Sequence, residues 1–434
     1  MGTLLAILVG SLLGSPSPAR AGALEDYVGK PDPSFNWKRT EQKKTQDGVL
    51  THLELVSQTW RGQFWSHHLL VFKPEQVRHA DMGLIFITGG DYNAPKDEDI
   101  KPLCEVARRA GIVVALLNKV PNQPLYGGKE EDALIAYTFD RFLKTGDKSW
   151  PLLFPMVKSA ARGMDTIQQF AKAEWHQDIT KFAVTGASKR GWTTWLTGAV
   201  DKRVMAIAPM VIDMLNMKQQ LRWAEKAYGR QSEEINDYTE LNLHMLQDDQ
   251  AMVQLRSWVD PYSYRERYTM PKLLLLGTND PYWTVDSLRH YFSDLPAQKW
   301  IFQTPNAGHD LAGGEAAIQT LAAWLQMLAD KQKLPRLQWN FAIAGEGVRA
   351  SLRVDQPAKK IALWTAESKD RDLRDDKWTS KELPLLDGGL MAYADLARPK
   401  SGYLAYMLEA TFVSSTGNEY RLSSEARVVP DFGY

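Results

Sequence analysis

One segment of the sequence has the residue types and the spacing of a nucleophilic serine. Residues 182–192 read FAVTGASKRGW, an apolar run, a turn between two glycines, and then a helical pattern. A nucleophile on a sharp strand-to-helix turn needs small neighbours, because the strand and the helix approach each other closely there. Gly186 lies two residues before Ser188, but Arg190 stands where a second glycine is usual, and Gly191 follows it. Taken alone, this G-x-S-x-x-G variant fits a nucleophile and an ordinary turn equally well.

Two further residues could complete the chemistry. Asp280 follows the apolar run Lys272–Leu276, and His309 lies in an Asn-Ala-Gly-His loop after the next such run. A neutral imidazole can take the proton of a serine hydroxyl near neutral pH, and a carboxylate fixes the tautomer of that imidazole. The order Ser, Asp, His on successive strand-end loops is that of α/β-hydrolases. We therefore predict Ser188 as the nucleophile, His309 as the general base and Asp280 as the orienting acid.

These residues also have simpler interpretations. Asp280 precedes a proline and could be a turn residue, and His309 could be a loop histidine without a catalytic role. Asp213 is a rival orienting acid, because it ends another apolar run whose loop borders the same site. Substituting each acid by Asn separates the two, and a larger loss of activity at Asp213 would overturn the assignment of Asp280.

A serine nucleophile also needs backbone N–H groups that stabilise the oxyanion. In α/β-hydrolases one comes from the residue after the nucleophile and the other from an earlier strand-to-helix loop. The corresponding positions here are Lys189 and the loop 88–93, in which Gly90 is the expected donor. The glycine pair of this loop is equally well explained as an ordinary turn.

Lys189 and Arg190 place two cations at the start of a predicted helix. Each opposes the helix dipole by about 0.3–1 kcal/mol when exposed, so we expect negative or polar groups to offset them. These groups belong either to the substrate or to protein carboxylates such as Asp91 or Asp213. If neutralising each cation singly leaves the preference between acidic and neutral esters unchanged, a role in substrate binding fails.

Aromatic and amide side chains are further candidates for substrate contacts. Trp192 and Trp283 lie in segments that we expect around the cleft. Flat aromatic faces suit sugar rings, prolyl rings and aromatic groups, although packing in the core is the more common role. Asn122, in the Pro-rich loop 121–125, could donate hydrogen bonds into the cleft or simply close the loop.

An alternation of buried strands and helices must position these residues. Two alternating segments predict antiparallel strands, and the apolar runs that follow alternate with helical stretches, which is typical of a mostly parallel sheet covered on both faces. Ligands of such sheets bind at the carboxyl ends of the strands. The predicted strands are Leu50–Ser57, Phe64–Phe72, Gly83–Thr88, Ile112–Asn118, Phe182–Thr185, Val204–Ile212, Lys272–Leu276 and Trp300–Thr304.

The chain divides into two predicted domains. Residues 24–335 are expected to form an α/β-hydrolase domain with a doubly wound sheet, and the polar-aromatic helical stretch at about 214–270 is expected to be a cap over the site. Residues 336–434 are expected to form a small immunoglobulin-like β-sandwich, because short alternating segments are separated by turns there. Those segments are Gln338–Ala344, Val348–Val354, Lys360–Thr365, Leu404–Val413 and Tyr420–Val428.

Several motifs together resemble the PhoPQ-activated pathogenicity-related protein family. They are GGDYN at 89–93, VPNQPL at 120–125, GASKRGW at 186–192, GTNDPYW at 277–283 and NAGH at 306–309. The likeness covers nearly the whole chain after residue 23, and the VPNQP stretch is specific. The resemblance implies an exported α/β-hydrolase-like protein, linked by name to a bacterial PhoP/PhoQ regulon, and supports the triad but no particular reaction. The serine turn alone is also similar to that of glucuronoyl esterases.

The N-terminus and the overall charge indicate the cellular setting. Residues 1–23 combine a short apolar run with a small-residue stretch, which predicts a secretory signal peptide, with a retained anchor as the alternative. We expect a periplasmic or secreted bacterial protein without a stable membrane span after cleavage. The 52 basic and 52 acidic residues cancel, so no global charge favours nucleic acid. The histidines lack the spacing of metal ligands, and we expect no metal and no cofactor.

The sequence therefore predicts an exported serine acyl hydrolase, with an esterase for a carbohydrate or small carboxylic ester as the first choice. One alternative is a serine peptidase of the prolyl-peptidase type. Another is a non-catalytic secreted binding or signalling protein that keeps the hydrolase fold. The expected partner is a small-molecule, carbohydrate or peptide substrate. A complete triad favours the enzyme, because a pure binder has no need of all three groups.

Overall fold

The structure is a computed structural model that describes residues 22–90, 93–245, 247–296 and 298–431. Residues 1–21 of the predicted signal peptide lie outside the described residues. Across the described ranges, no helix is both long enough and apolar enough to cross a membrane.

A nine-stranded sheet forms the centre of the protein, in the order β1-β2-β3-β5-β4-β6-β7-β8-β9. Strands β1 to β3 form an antiparallel meander that joins β5 in antiparallel orientation, and every pair from β5 to β9 is parallel. The carboxyl ends of the parallel strands therefore meet at one edge. The strands are β1 Asn36–Lys44, β2 Gly48–Trp60, β3 Gln63–Pro74, β4 Met82–Ile87, β5 Val113–Leu117, β6 Lys181–Ala187, β7 Val204–Met210, β8 Lys272–Gly277 and β9 Lys299–Thr304.

Helices cover both faces of this sheet, because successive strand residues point to opposite sides. Val113 and Ala115 of β5 belong to the hydrophobic cluster that contains α3, α4 and α5, whereas Val114 and Leu116 belong to the cluster that contains α2 and α9. The helices outside the cap are α1 Gly22–Gly29, α2 Lys101–Ala110, α3 Glu131–Thr145, α4 Leu153–Trp175, α5 Lys189–Val200 and α9 Glu315–Ala329.

The cap lies between β7 and β8. Its helices are α6 Met217–Tyr228, α7 Asn236–Thr239 and α8 Gln250–Val259, with 3₁₀ turns at Glu233–Ile235, Leu243–Met245 and Pro261–Arg267. The buried Asp260 carboxylate joins the two ends of this insertion, because it accepts hydrogen bonds from the backbone N–H groups of Asn216, Met217 and Tyr262. Burial raises the pKa of Asp260 to about 6 despite these three donors.

The remaining chain forms two antiparallel sheets, one in the order β10-β11-β14 and one in the order β13-β12-β15-β16, with β17 paired to β15. Many of their apolar residues share one hydrophobic cluster with α2, α9 and the central sheet, so the two parts of the chain have a common core. The strands are β10 Leu337–Ala344, β11 Gly347–Val354, β12 Lys360–Ser368, β13 Thr379–Glu382, β14 Met391–Ala397, β15 Tyr403–Val413, β16 Glu419–Ser423 and β17 Arg427–Val429.

The predicted fold class is confirmed: a mostly parallel α/β-hydrolase sheet with a helical insertion is followed by antiparallel sheets. Strand β7 ends at Met210, two residues earlier than predicted, and Val211 has a positive φ of 45°. The predicted strand Tyr420–Val428 is divided into β16 and β17. Three strands were not predicted, namely β1, β13 and β14.

Candidate active site

Ser188 lies between β6 and α5 in a backbone conformation that residues other than glycine rarely adopt. Its φ and ψ are 57° and −125°, and its N–H donates to the carbonyl of Met210 at the end of β7 over 2.9 Å. Such strain persists only where the surrounding structure enforces it, and it is typical of a nucleophile on a strand-to-helix turn. This conformation supports the assignment of Ser188.

Two glycines make the turn possible. A Cβ atom on Gly186 would lie 2.8 Å from the carbonyl oxygen of Ile87 and 2.9 Å from that of Arg190. A Cβ atom on Gly191 would lie 2.8 Å from the carbonyl oxygen of Met210. All three distances are too short for a real side chain, so the displaced glycine at 191 fills the spatial role of the glycine that the usual motif has one residue earlier.

Asp280 and His309 form a hydrogen-bonded pair on the loops after β8 and β9. The distance from His309 Nδ1 to Asp280 Oδ2 is 2.8 Å, and Asp280 is only 5% exposed. Asp280 Oδ1 accepts a second hydrogen bond from the N–H of Tyr282, which fixes the carboxylate. His309 Nε2 is buried without a hydrogen-bond partner. It therefore makes no hydrogen bond to Ser188 in this structure, and such bonds often tighten only when substrate is present.

Tyr282 links the acid–base pair to the serine. Its ring lies 4.3 Å from the His309 ring, centroid to centroid, and both Tyr282 and Ser188 line the same cavity. Lys189 Nζ lies 5.9 Å from the centroid of the Tyr282 ring. Sequence reasoning missed this contact, although Tyr282 stands two residues after Asp280 in the GTNDPYW motif.

The rival acid, Asp213, has a different partner. It accepts a 2.6 Å hydrogen bond from Tyr291 Oη, whereas His309 is paired with Asp280. Burial raises the pKa of Asp213 to about 8, and the charges of Asp280, Asp286 and Glu425 act in the same direction. At neutral pH its carboxyl group is therefore largely protonated, which is unsuitable for stabilising an imidazolium ion.

Protein carboxylates pair with both cations next to Ser188. Lys189 Nζ lies 2.6 Å from Asp132, and Arg190 donates two hydrogen bonds of 2.7 and 2.6 Å to Glu131. Burial would raise the pKa of Glu131, but its bonds to Arg190 and Gln123 and the charges of Arg190 and Lys189 lower it to about 2. Carboxylates thus offset the two cations at the start of α5. Asp213, named as a possible partner, is not among them, and Asp91 lies outside the described residues.

The two positions predicted for the oxyanion hole lie at the start of α5 and in a glycine loop next to Arg190. Lys189 is the first residue of α5, and the first N–H groups of a helix have no partner within it. Gly90 has a φ of 107°, and a Cβ on the neighbouring Gly89 would lie 2.4 Å from the guanidinium of Arg190. The glycine loop is therefore packed against the Arg190 side chain, which belongs to the first turn of α5.

The other predicted contact residues fall into two groups. Asn122 donates to the carbonyl of Ser66 over 2.7 Å and is buried in its loop, and Arg190 donates to Val120 as well as to Glu131. These two side chains hold protein groups together. Trp192 and Trp283 line the cavity that contains Ser188.

This cavity lies between the serine turn and the cap, and its empty volume is about 1080 Å³, part of it open to solvent. Helix α6 contributes Met217, Gln220, Leu221 and Ala224, and helix α8 contributes Met252, Leu255, Arg256 and Val259. Both sets follow the i, i+3, i+4, i+7 spacing of one helix face. The cap therefore turns one face of α6 and one face of α8 toward the cavity that contains Ser188.

A segment of the C-terminal part holds the acid and base loops. This clamp segment, residues 371–378, lies between β12 and β13. Asn306, three residues before His309, exchanges two hydrogen bonds with the backbone of Trp378, of 3.0 and 2.7 Å. Asn279, the neighbour of Asp280, donates from Nδ2 to three backbone carbonyls of the segment, those of Leu373, Arg374 and Asp376.

The clamp segment also reaches the cap. Arg371 donates to the buried Asp286 over 2.8 Å, and Trp223 of α6 donates to the other oxygen of that carboxylate over 2.9 Å. Burial raises the pKa of Asp286, but the charges of Arg371 and Arg289 and the hydrogen bonds from Trp223 and Arg371 together hold it below its usual value. Arg374 lies 3.3 Å from Glu233 of the cap and donates to the carbonyl of Pro281. One segment thus contacts the acid loop, the base loop and the cap.

Known proteins resemble this chain in sequence and in structure. Residues 24–374 match the PhoPQ-activated pathogenicity-related protein family. Autocrine proliferation repressor protein A from Dictyostelium discoideum is 31% identical over 474 aligned residues, which cover 99% of this chain and 93% of that protein.

Among solved structures, the acetyl xylan esterase 1 of Thermoanaerobacterium sp. JW/SL YS485 has a TM-score of 0.48 at 18% identity, covering 70% of this chain and 91% of its own. The acetyl xylan esterase of Paenibacillus sp. R4 has a TM-score of 0.47 at 13% identity, covering 70% of this chain and 92% of its own. At these TM-scores and identities the structural likeness says nothing about the reaction. The family match and the full-length relative together show that the chain belongs to the PhoPQ-activated pathogenicity-related protein family.

Proposed function

We propose that the protein is a serine acyl hydrolase, an esterase in which Ser188, His309 and Asp280 are the catalytic residues. The observation that carries the proposal is the 2.8 Å hydrogen bond between His309 and Asp280, which leaves His309 Nε2 without a protein partner. The strained conformation of Ser188 supports it. On this assignment, Nε2 is the atom that takes the serine proton.

The reaction has two halves. Ser188 Oγ forms a bond to the carbonyl carbon of the ester, and its proton passes to His309 Nε2. The bond between the carbonyl carbon and the alcohol oxygen then breaks, and His309 returns the proton to the alcohol. Water repeats the sequence on the acyl-enzyme, which releases the acid and restores Ser188. Asp280 stabilises the imidazolium in both halves, and the amides of Lys189 and Gly90 are assigned to the oxyanion.

Covalent labelling with a fluorophosphonate probe tests the nucleophile. We expect the purified wild-type protein to be labelled and the folded Ser188→Ala and His309→Ala variants not to be. Ser232→Ala is the matched control, because Ser232 also lines the cavity and its hydroxyl donates to the carbonyl of Pro281. If the label persisted in Ser188→Ala and disappeared in Ser232→Ala, the nucleophile would be Ser232 and the assignment of Ser188 would be wrong.

The acid is tested by paired Asn substitutions. Asp280→Asn removes the charge that orients His309 and is expected to lower kcat by about 10³–10⁴-fold. Asp213→Asn is expected to change kcat far less, because Asp213 is largely neutral and is bonded to Tyr291. The two kcat values, measured on one ester, decide between the acids. Equal losses of kcat would contradict the assignment of Asp280 as the orienting acid.

A second candidate function is binding or signalling without turnover. The full-length relative is named an autocrine proliferation repressor, and this name favours a secreted regulatory role for a protein with this fold. A folded protein that is never labelled by the probe would move the proposal to this candidate.

We also propose that the protein acts outside the cytoplasm, on the strength of the signal-like residues 1–23. The N-terminal sequence of the protein recovered from the periplasm or the medium tests this proposal.

A further inference from the structure

We propose that the ester hydrolysed at this site is predominantly apolar and that its apolar part occupies the cavity between Ser188 and the cap. This inference rests on the proposed function and names its substrate class. It replaces the sugar ester suggested by the aromatic residues of the sequence with a fatty or aromatic carboxylic ester.

The composition of the cavity wall is the first support. Besides the apolar members of the α6 and α8 faces, the central domain and the remaining cap segments contribute seven large apolar side chains. These are Phe139, Trp192, Ile212, Met214, Ile235, Leu243 and Trp283. Contact with such a wall favours a ligand in proportion to the apolar surface that leaves water.

The second support is that protein groups already use most of the polar side chains in the wall. Asp132 is bonded to Lys189 and Tyr238, and Ser232 donates to the carbonyl of Pro281. Gln220 donates to the carbonyls of Leu215 and Ser287, and Arg256 bonds Gln247 and Asp248.

Little hydrogen-bonding capacity therefore remains for a ligand. Within the described part of the wall, three buried polar atoms have no hydrogen-bond partner: Trp283 Nε1, His244 Nδ1 and Gln231 Oε1. A sugar ring would bring several hydroxyl groups into this wall, and burying a hydroxyl group without a partner is unfavourable. An apolar chain or ring with only a few polar atoms matches what the wall offers.

A series of p-nitrophenyl esters from acetate to decanoate tests the acyl side, and acetates of alcohols of increasing length test the alcohol side. We expect kcat/KM for the octanoate to exceed that for the acetate by about tenfold or more, because each buried CH₂ group adds favourable transfer free energy. A rise in only one series identifies which half of the ester enters the cavity. Acetylated sugars that are hydrolysed faster than either series would overturn the proposal.

A cavity-filling variant ties this preference to the cap. Ala224→Leu adds volume on the cavity face of α6 with little change in helix propensity, and we expect it to lower the octanoate-to-acetate ratio by about tenfold. Arg222→Leu is the matched control, since Arg222 is exposed on the same helix and does not line the cavity. An unchanged ratio in Ala224→Leu would contradict the placement of the apolar group.

The failure of this inference can be told from the failure of the proposed function. If Ser188 is labelled and sugar acetates are preferred, the enzyme stands and the substrate class falls. If Ser188 is never labelled, binding of decanoate followed by the fluorescence of Trp192 and Trp283 still tests the cavity. Saturable binding that Ala224→Leu weakens and Arg222→Leu does not would support the apolar ligand, and its absence would reject it.

Discussion

The serine turn and the acid–base loops differ in how many distant side chains hold them. Ser188 is fixed by close contacts with neighbouring backbone: Gly186 lies against the carbonyl of Ile87, and Gly191 against that of Met210. The loops of Asp280 and His309 contact each other through backbone, since the N–H of Asn279 donates to the carbonyl of Ala307 over 2.9 Å. In addition, the side chains of Asn279 and Asn306 bind these loops to a segment about 70–100 residues farther along the chain.

Changes at the two places are therefore expected to affect different properties. At the serine turn they affect the stability of the fold, and at the two loops they affect the alignment of Asp280 and His309. A turn built from adjacent parallel strands cannot be altered without disturbing the sheet, so changes there act on stability. The side-chain hydrogen bonds of Asn279 and Asn306 can be removed while the sheet stays intact, so we expect changes to these two residues to act on the geometry of the proposed catalytic residues.

The largest effect is expected from Gly191→Ala. Its Cβ would lie 2.7 Å from Ile212 Cγ2 and 2.8 Å from the carbonyl oxygen of Met210, and we expect a loss of about 3 kcal/mol or more in the free energy of unfolding. Gly29→Ala is the matched control, because a Cβ there meets no atom within 4 Å. Urea unfolding of both variants measures the difference, and equal stabilities would show that the turn is not held by close packing.

A smaller effect, on activity instead of folding, is expected at the clamp segment. Asn306→Gly removes both hydrogen bonds to Trp378 and tolerates the positive φ of 57° at this position. We expect kcat to fall about ten- to a hundredfold, with KM little changed and the central sheet intact.

The matched control for this variant is Asn340→Ala, at an exposed position of β10. Asn306→Asp keeps the acceptor for the N–H of Trp378 and should recover part of the lost kcat. Circular dichroism checks the fold of each variant. A purely structural role would lower stability while leaving kcat of the folded protein unchanged, and that outcome would reject the positioning role.

The smallest effect concerns pH. The pKa of Asp213 is raised by burial to about 8, above its value in the unfolded chain, so the folded protein holds one more proton than the unfolded chain at intermediate pH. This group therefore makes stability fall as pH rises from about 4 to 8, and it adds no further slope above that range. Asp213→Asn should flatten the dependence in urea unfolding between pH 5 and pH 8, and an unchanged slope would mean that Asp213 is ionised in the folded protein.

The sequence was most informative where periodicity reports burial. The parallel strands are apolar on both faces, and each was predicted within a few residues. Strand β1 was missed because its sequence, NWKRTEQKK, is almost wholly polar and lies at an exposed edge, where charged side chains are tolerated. The short exposed strand β13 was missed for the same reason.

Within the site, the residues that could be predicted from the sequence are those whose side-chain type indicates a chemical role. Ser188, Asp280 and His309 follow strands in a recognisable order. Protein carboxylates were one of the alternatives predicted for Lys189 and Arg190, but the two carboxylates that pair with them were not identified. Glu131 and Asp132 look like the ordinary acidic first turn of a helix, and nothing in the sequence links them to residues almost 60 positions away. Asn279 and Asn306 stood inside the quoted motifs, but their partners in the clamp segment depend on tertiary packing.

The clamp segment limits how this chain can evolve. The last strands cannot be treated as an exchangeable module, since exchange would also replace the backbone that receives Asn279 and Asn306. A gene fusion that supplied a different C-terminal part would separate the acid and base loops from their support. We therefore expect the two asparagines and the clamp segment to be conserved together among related sequences.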